Sequence, residues 1–441
     1  MFILQNLTLF GSRSHRTARP KPKKKYRLRT FLIVLLSLVV LGEGVYFWLC
    51  STDNAFVSKW RTIYIQTAMS TLTHQWLATD LLPEDVVNSA IDLMNQGLED
   101  QIGQNSSWDI PEQVPDKPVE PDEPVVENPG EEDTRPYWIK LDPEGAAAFF
   151  ELFWQIDQES MLSYLDTHPE VMDNGWENIN IDEAGLDQDG TSIQTINGDK
   201  VLAINAYEGI LLIRVTGSTY RGVLAIAKDP ARLGMRWSAG IGSYGQTCKA
   251  ICERNDAILG ISASGFDDPN GMGNGGILSG YAMCNGDEKG THALPGYKRL
   301  ELHEDNRMYI TDARDYVGKG TTDAVEFTPA LIVDSRVIVD ETCDWNGMHP
   351  RAILGQSELG EVQMLVIEGR QPGLSLGVSV VDCAHLLSSY RCAQAMNMDG
   401  GTTAMMYYNG RSIISCSNTA LEDGRALPNA WCYFSKDTFE E

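Results

Sequence analysis

The chain has 441 residues, 43% hydrophobic, 9% aromatic and 22% charged, enough for one or two packed domains and unlike a disordered or fibrous composition. Its formal net charge is −26, yet residues 1–30 hold nine Lys or Arg and no Asp or Glu, which leaves the remainder at −35. A body this acidic repels phosphate backbones, so nucleic acid is set aside as a partner, and an anionic substrate needs arginines gathered locally.

In chain order, the basic tail 1–30 precedes "FLIVLLSLVVLGEGVYFWLC", Phe31–Cys50, about the length a bilayer core requires of a helix. Positive charge stays cytoplasmic, and Tyr46, Phe47 and Trp48 suit the far interface. No A-x-A-like cleavage site follows, so the expectation is an uncleaved single-pass anchor in the cell membrane. The bilayer is then a partner through residues 31–50, with the bulk of the chain extracytoplasmic. Eight of the nine cysteines lie beyond the anchor; disulfides and buried free thiols are equally compatible with that count.

Residues 51–108 read as a helical stalk, with Ile63, Ala68, Leu72, Trp76 and Leu77 at helical spacing and "LPEDVVNSAIDLMNQ" opening a second helix on Pro and acids. Residues 109–136, rich in Pro and acid, read as an extended linker. From 137 to 441 the composition is globular. A helix is predicted across "DPEGAAAFFELFWQIDQESMLSYLDTHPEVM", with Pro143 in its first turn. Strands are predicted in "TINGDKVLAINAYEGILLIRVTG", "YRGVLAIAKDP", "NDAILGISASGF", "PALIVDSRVIV", "RAILGQ" and "EVQMLVIEGR". "VSVVDCAHLLSSYRCAQA" carries helical spacing from Val381 to a Cys392–Ala395 end. The fold class expected is α+β: a mixed or antiparallel sheet core with a few packed helices, plus the transmembrane helix and stalk.

Four loops hold polar residues where strands end. "SGFDDPNGMGNGG" sets Asp267, Asp268, Asn270 and Asn274 among glycines. Its oxygens are hard-cation ligands, but the EF-hand spacing is not met, so no cofactor is expected while a divalent cation at Asp267/Asp268 stays open. In "MHPRAILGQ", Arg351 is a forked anion donor at a strand mouth, and His349 reads as structural. In "VIEGRQPGLSLG", strand alternation puts Glu368 and Arg370 on one side. "NMDGGTT", 397–403, is a turn or a binding loop by its residues alone. No G-x-S-x-G elbow or phosphate-binding P-loop is present.

"NMDGGTTAMMYYNG" resembles the "N-L-D-G-G-G-S-S-T-M" hallmark of the phosphodiester glycosidase family. "PRAILG" is similar to that family's "P-R-T-A-I-G", "IEGR" to "V-D-G-R", and "SASGFDDPNG" to the "N-x-G-F-F" strand-loop. Arg425 in "EDGRALPNAW" suits a closing "R-x-V-x-N-A", and the likeness runs from Thr195 to Phe434. "TAMSTLTHQWLAT" resembles the stalk of membrane-anchored, exopolysaccharide-related bacterial members. Thr402 and Thr403 replace the usual Gly-Ser or Ser-Ser, Glu368 replaces Asp, and Asp267 replaces the second Phe.

The resemblance implies hydrolysis between a sugar's anomeric carbon and a phosphate, in a glycan or sugar-phosphate polymer. Asp399 and Glu368 would then be the catalytic carboxylates. Arg351 and Arg370 would clamp phosphate, and Asn397, Gly400, Gly401, Thr402, Thr403, Asp267 and Arg425 would shape the substrate site. A non-catalytic glycan-binding scaffold and a metal-dependent phosphoesterase are the alternatives.

Overall fold

The structure is a computed structural model and describes residues 25–108, 133–186, 188–292, 296–340 and 347–440, with side chains from residue 28 to 439. Most of the linker expected at 109–136, and Cys343, lie outside the described residues. The chain divides into two units, 1–58 and 59–441. In the first, Lys25–Ser51 is one helix, and its Leu28–Ser51 portion is long and apolar enough to cross a bilayer.

The second unit is α+β, built on three antiparallel sheets. Nine strands form the largest, in the order Asn180–Asp182, Lys200–Asn205, Ile210–Thr216, Arg221–Ala227, Val362–Ile367, Arg351–Ser357, Cys392–Asn397, Ala330–Val333 and Arg336–Val337. Its central strands are apolar on both faces because both faces are covered. In Val362–Ile367, Val362, Met364 and Val366 pack into one core with the two smaller sheets. Leu365 and Ile367 point the other way, into a core shared with Phe149, Leu165 and Leu387 of the helices Pro143–Leu152, Gln158–Thr167 and Val380–Ser389. One smaller sheet centres on Ala257–Ser262 and Asn429–Phe434; the other holds Lys298–His303 and Thr321–Phe327.

Several sequence expectations need adjustment. The helix expected over residues 142–172 is two α-helices and a short 3-10 turn at Pro169–Met172, because Asp157 starts a new helix by accepting the Ser160 N–H (2.8 Å) and Pro169 follows its end. The helical reading does not extend to Cys392–Ala395: that segment is strand, and the helix stops at Ser389. The helical spacing of Ile63 to Leu77 is also interrupted. The helix Ala55–Met69 ends where the hydroxyls of Ser70 and Thr71 turn back onto the carbonyls of Gln66 and Ala68, and a short helix resumes at Trp76.

From Lys59 onward the segment read as a stalk packs on the body. The Gln101 carboxamide donates to the Ala330 carbonyl (3.0 Å) and accepts its N–H (3.1 Å), filling a sheet position with a side chain. Asp334 accepts the backbone N–H groups of Ser107 and Trp108. The eight described cysteines are buried and form no disulfide with one another, with 3.8 Å between the sulfurs of Cys252 and Cys432.

Candidate active site

Register gathers the polar loops at one end of the large sheet. Arg351 pairs with Ile367, Ile367 with Gly222, and Ile353 with Asn397. Arg221, Glu368, Arg351 and the 397–403 loop therefore leave the sheet at the same end. That loop is pinned between sheets: Met398 N–H donates to Ala352 (2.8 Å), Asp399 N–H to Ala263 (3.0 Å), and the Asp399 carbonyl accepts from Ser262 Oγ (3.1 Å).

Its two glycines are steric requirements. A Cβ on Gly400 would lie 2.7 Å from the Pro350 carbonyl oxygen, and Gly401 has φ +69° with its N–H bonded to that same oxygen (3.1 Å). Thr403 closes the turn by donating to the Gly400 carbonyl (2.5 Å). Thr402 accepts the Arg425 N–H through its carbonyl (3.2 Å). Asn397 donates from Nδ2 to Thr328 (2.9 Å), while its buried Oδ1 has no hydrogen-bond partner among the described residues.

The Asp399 carboxyl is pushed up to about 7 by burial, and the nearby Asp268 charge adds to this. The Thr403 hydroxyl, the Gly400 N–H and the charge of Arg425 pull the other way without cancelling it. Such a carboxyl exchanges protons near neutrality, as a general acid or base must.

Two guanidiniums flank it in different states. Arg425 is committed: it takes both oxygens of Asp268 (2.6 and 2.7 Å), bonds the Gly273 carbonyl (2.8 Å) and lies over the Phe266 ring. Arg370 is exposed. Partial burial of its guanidinium lowers its pKa while the charge of Asp399 raises it, its Nη2 is 3.4 Å from His349 Nδ1, and Gly401 lies against it with no side chain between. An exposed guanidinium beside a proton-exchanging carboxyl suits an anionic oxygen.

Glu368 and Arg370 do not converge as alternation suggested. The strand ends at Ile367 and Arg370 takes φ +59°, so period-two pointing stops before it is reached. Glu368, 1% exposed, is held by Arg221 Nε (2.8 Å) and the Ser415 N–H (2.9 Å). Arg351 gives Nη2 to the Gly347 carbonyl (2.7 Å) and Nε to Val378 (3.3 Å), and burial pulls it down to about 10. Asp267 is exposed, with its N–H on Ile277.

Sequence reasoning misses two contributors, Arg221 and Asn429, and reads His349 only as structural. Burial and the charges of Arg351 and Arg370 hold His349 down to about 2, so it is a neutral spacer between cations. Arg221 was read only as a strand end. Asn429 locks Ser264 by accepting its N–H (3.0 Å) and donating to its hydroxyl (2.9 Å). The "NAW" that closes the Arg425 motif was the available signal for it. Among the described residues no group of three or more His, Cys, Asp or Glu is placed to hold a metal, and Asp268 is spent on Arg425.

Residues 255–434 match the family model for phosphodiester glycosidases, a span that includes all four loops. That match supports the phosphodiester glycosidase family that the motifs resemble. An uncharacterised SPbeta prophage-derived protein, YomE, of Bacillus subtilis (strain 168) is 25% identical over 184 residues, 39% of this chain and 28% of that one. The chain thus spans under a third of that relative's length. Similar solved structures include these two. The catalytic domain of zebrafish N-acetylglucosamine-1-phosphodiester alpha-N-acetylglucosaminidase, auto-inhibited by its pro-peptide, has a TM-score of 0.43 and 15% identity, covering 52% of this chain and 82% of that one. A hypothetical protein from Synechocystis has a TM-score of 0.38 and 13% identity, covering 55% and 65%.

Proposed function

We propose that this protein is a membrane-anchored, extracytoplasmic hydrolase that cleaves the bond between an anomeric carbon and phosphate in a cell-surface or extracellular glycopolymer. The observation that carries the reading is the pairing of a carboxyl at about 7, Asp399, with the exposed guanidinium of Arg370. A phosphate is a good leaving group, so the reaction asks less of a general acid than an ordinary glycoside does. It needs an anion clamp and a carboxylate beside the carbon where positive charge grows. Arg370 holds the phosphate oxygens. Ionised Asp399 takes a proton from the attacking water, whose oxygen bonds the anomeric carbon as the C–O bond breaks and its electron pair leaves on phosphate. Glu368 serves by fixing Arg221 and the 415 loop, which is a positioning role. The apolar helix Leu28–Ser51 supports anchoring.

The test is hydrolysis of a synthetic N-acetylglucosamine 1-phosphodiester in ¹⁸O-labelled water by the wild type and Asp399→Asn. Label in the sugar and a loss of at least about 10²-fold in the variant are expected. Label in the phosphate would point to a phosphoesterase instead. An Asp399→Asn protein as active as the wild type would remove Asp399 from the mechanism.

A further inference from the structure

Both arginines that flank Asp399 trace back to one short segment outside the family-matched domain. In the helix Ala55–Met69, the Thr67 hydroxyl donates to the Ile63 carbonyl (2.6 Å) and accepts the N–H of Met348 (3.0 Å). One residue earlier, the Gln66 carbonyl faces Gly347 so closely that a Cβ there would lie 3.3 Å from it and 3.0 Å from His349 Nε2. The Gly347 carbonyl in turn receives Arg351, and His349 Nδ1 meets Arg370. Six residues beyond Thr67, the methyl of Thr73 sits 3.5 Å from the Cβ position of Gly271. The Gly271 N–H bonds the carbonyl of Asp268 (3.2 Å), which grips Arg425. Residues 66–73 thus touch both banks of the site, 347–351 and 268–273.

We propose that the 66–73 segment is a working wall of the active site and that Thr67 is a positioning residue, holding the 347–351 loop so that Arg370 stays aimed at Asp399. The physical reason is a missing alternative. Among the described residues the Met348 N–H has no sheet partner and is held by the Thr67 hydroxyl, so its position is only as fixed as that hydroxyl. A displacement of about 1 Å at a guanidinium is enough to lower a rate by tens- to a hundredfold. The inference rests on reading Asp399 and Arg370 as the reacting pair.

The experiment compares Thr67→Val, which keeps shape and loses the acceptor, with Thr67→Ser, which restores it, in the full-length protein. Three quantities are read: amide exchange across 347–351, kcat/KM on the N-acetylglucosamine 1-phosphodiester, and the titration of the Asp399 carboxyl by ¹³C NMR, assigned with Asp399→Asn. The charged groups facing that carboxyl are Arg370, Arg425 and Asp268, with the Thr403 hydroxyl beside them. Thr67→Val should speed exchange at 347–351, lower kcat about tenfold with a smaller change in KM, and move the Asp399 titration upward as Arg370 drifts. Thr67→Ser should sit within about twofold of wild type. Faster exchange with an unmoved titration would make Thr67 merely structural and overturn the proposal, as would a Ser variant as impaired as Val. If the wild type does not turn over the diester, the functional reading fails, but the titration still decides the positioning role.

Discussion

Asp399→Asn removes a charge the fold resists while keeping the side chain's shape. Raising a carboxyl from 3.8 to about 7 corresponds to about 4 kcal/mol between its protonation states. Asp399 is half-buried rather than sealed, so solvent screens part of this, and about 2 kcal/mol is the working figure. The folded state binds the proton more tightly than the unfolded chain. The stabilisation from protonated Asp399 is therefore complete below about 4 and lost as pH rises through about 7. Asparagine has no such loss. The variant should match the wild type near pH 4 and exceed it in stability by about 2 kcal/mol at pH 8, while losing activity. Denaturant midpoints of the two full-length proteins at pH 5 and pH 8 measure this. A stability difference that does not grow between those pH values would refute the burial argument for Asp399.

Other outcomes follow from the same contacts. As a base, Asp399 gives a kcat/KM that rises with pH and levels off above about 7; Arg425→Gln should push that limb upward, because a cation is lost and Asp268 loses its ion pair. Glu368→Ala leaves the half-buried Arg221 without its carboxylate and should cost about 2 kcal/mol of stability by thermal unfolding. Pairing it with Arg221→Met should recover much of that stability, an outcome that a purely catalytic Glu368 would not produce. Gln101→Leu leaves the N–H and C=O of Ala330 without a partner and should destabilise by about 2 kcal/mol, with faster amide exchange at Ala330.

Much of the fold was legible because burial writes a period into the chain. The strand "VQMLVI" reads as strand because its alternate residues enter two cores, and Phe31–Cys50 reads as a span because apolar length is all a bilayer asks. "CAQAMN" was harder: a strand buried on both faces has no polar face, so its spacing passed for the end of the helix before it. Residues 278–327 hold a whole sheet that no strand prediction covered. Its charged residues Lys298, Arg299 and Glu301 are buried by pairing with one another and with Asp312, which periodicity does not reveal.

The sequence by itself determined the apolar helix, the acidic body, the α+β class and the glycine turn beneath Asp399, since each depends on local composition or local sterics. The tertiary structure alone decided how the charges divide. Arg425 is consumed by Asp268 and Glu368 by Arg221, while Arg370 stays exposed beside Asp399. These partners stand 157 and 147 residues apart. The state of a charged group depends on what else reaches it in space, and only strand register and the packing of distant loops determine that.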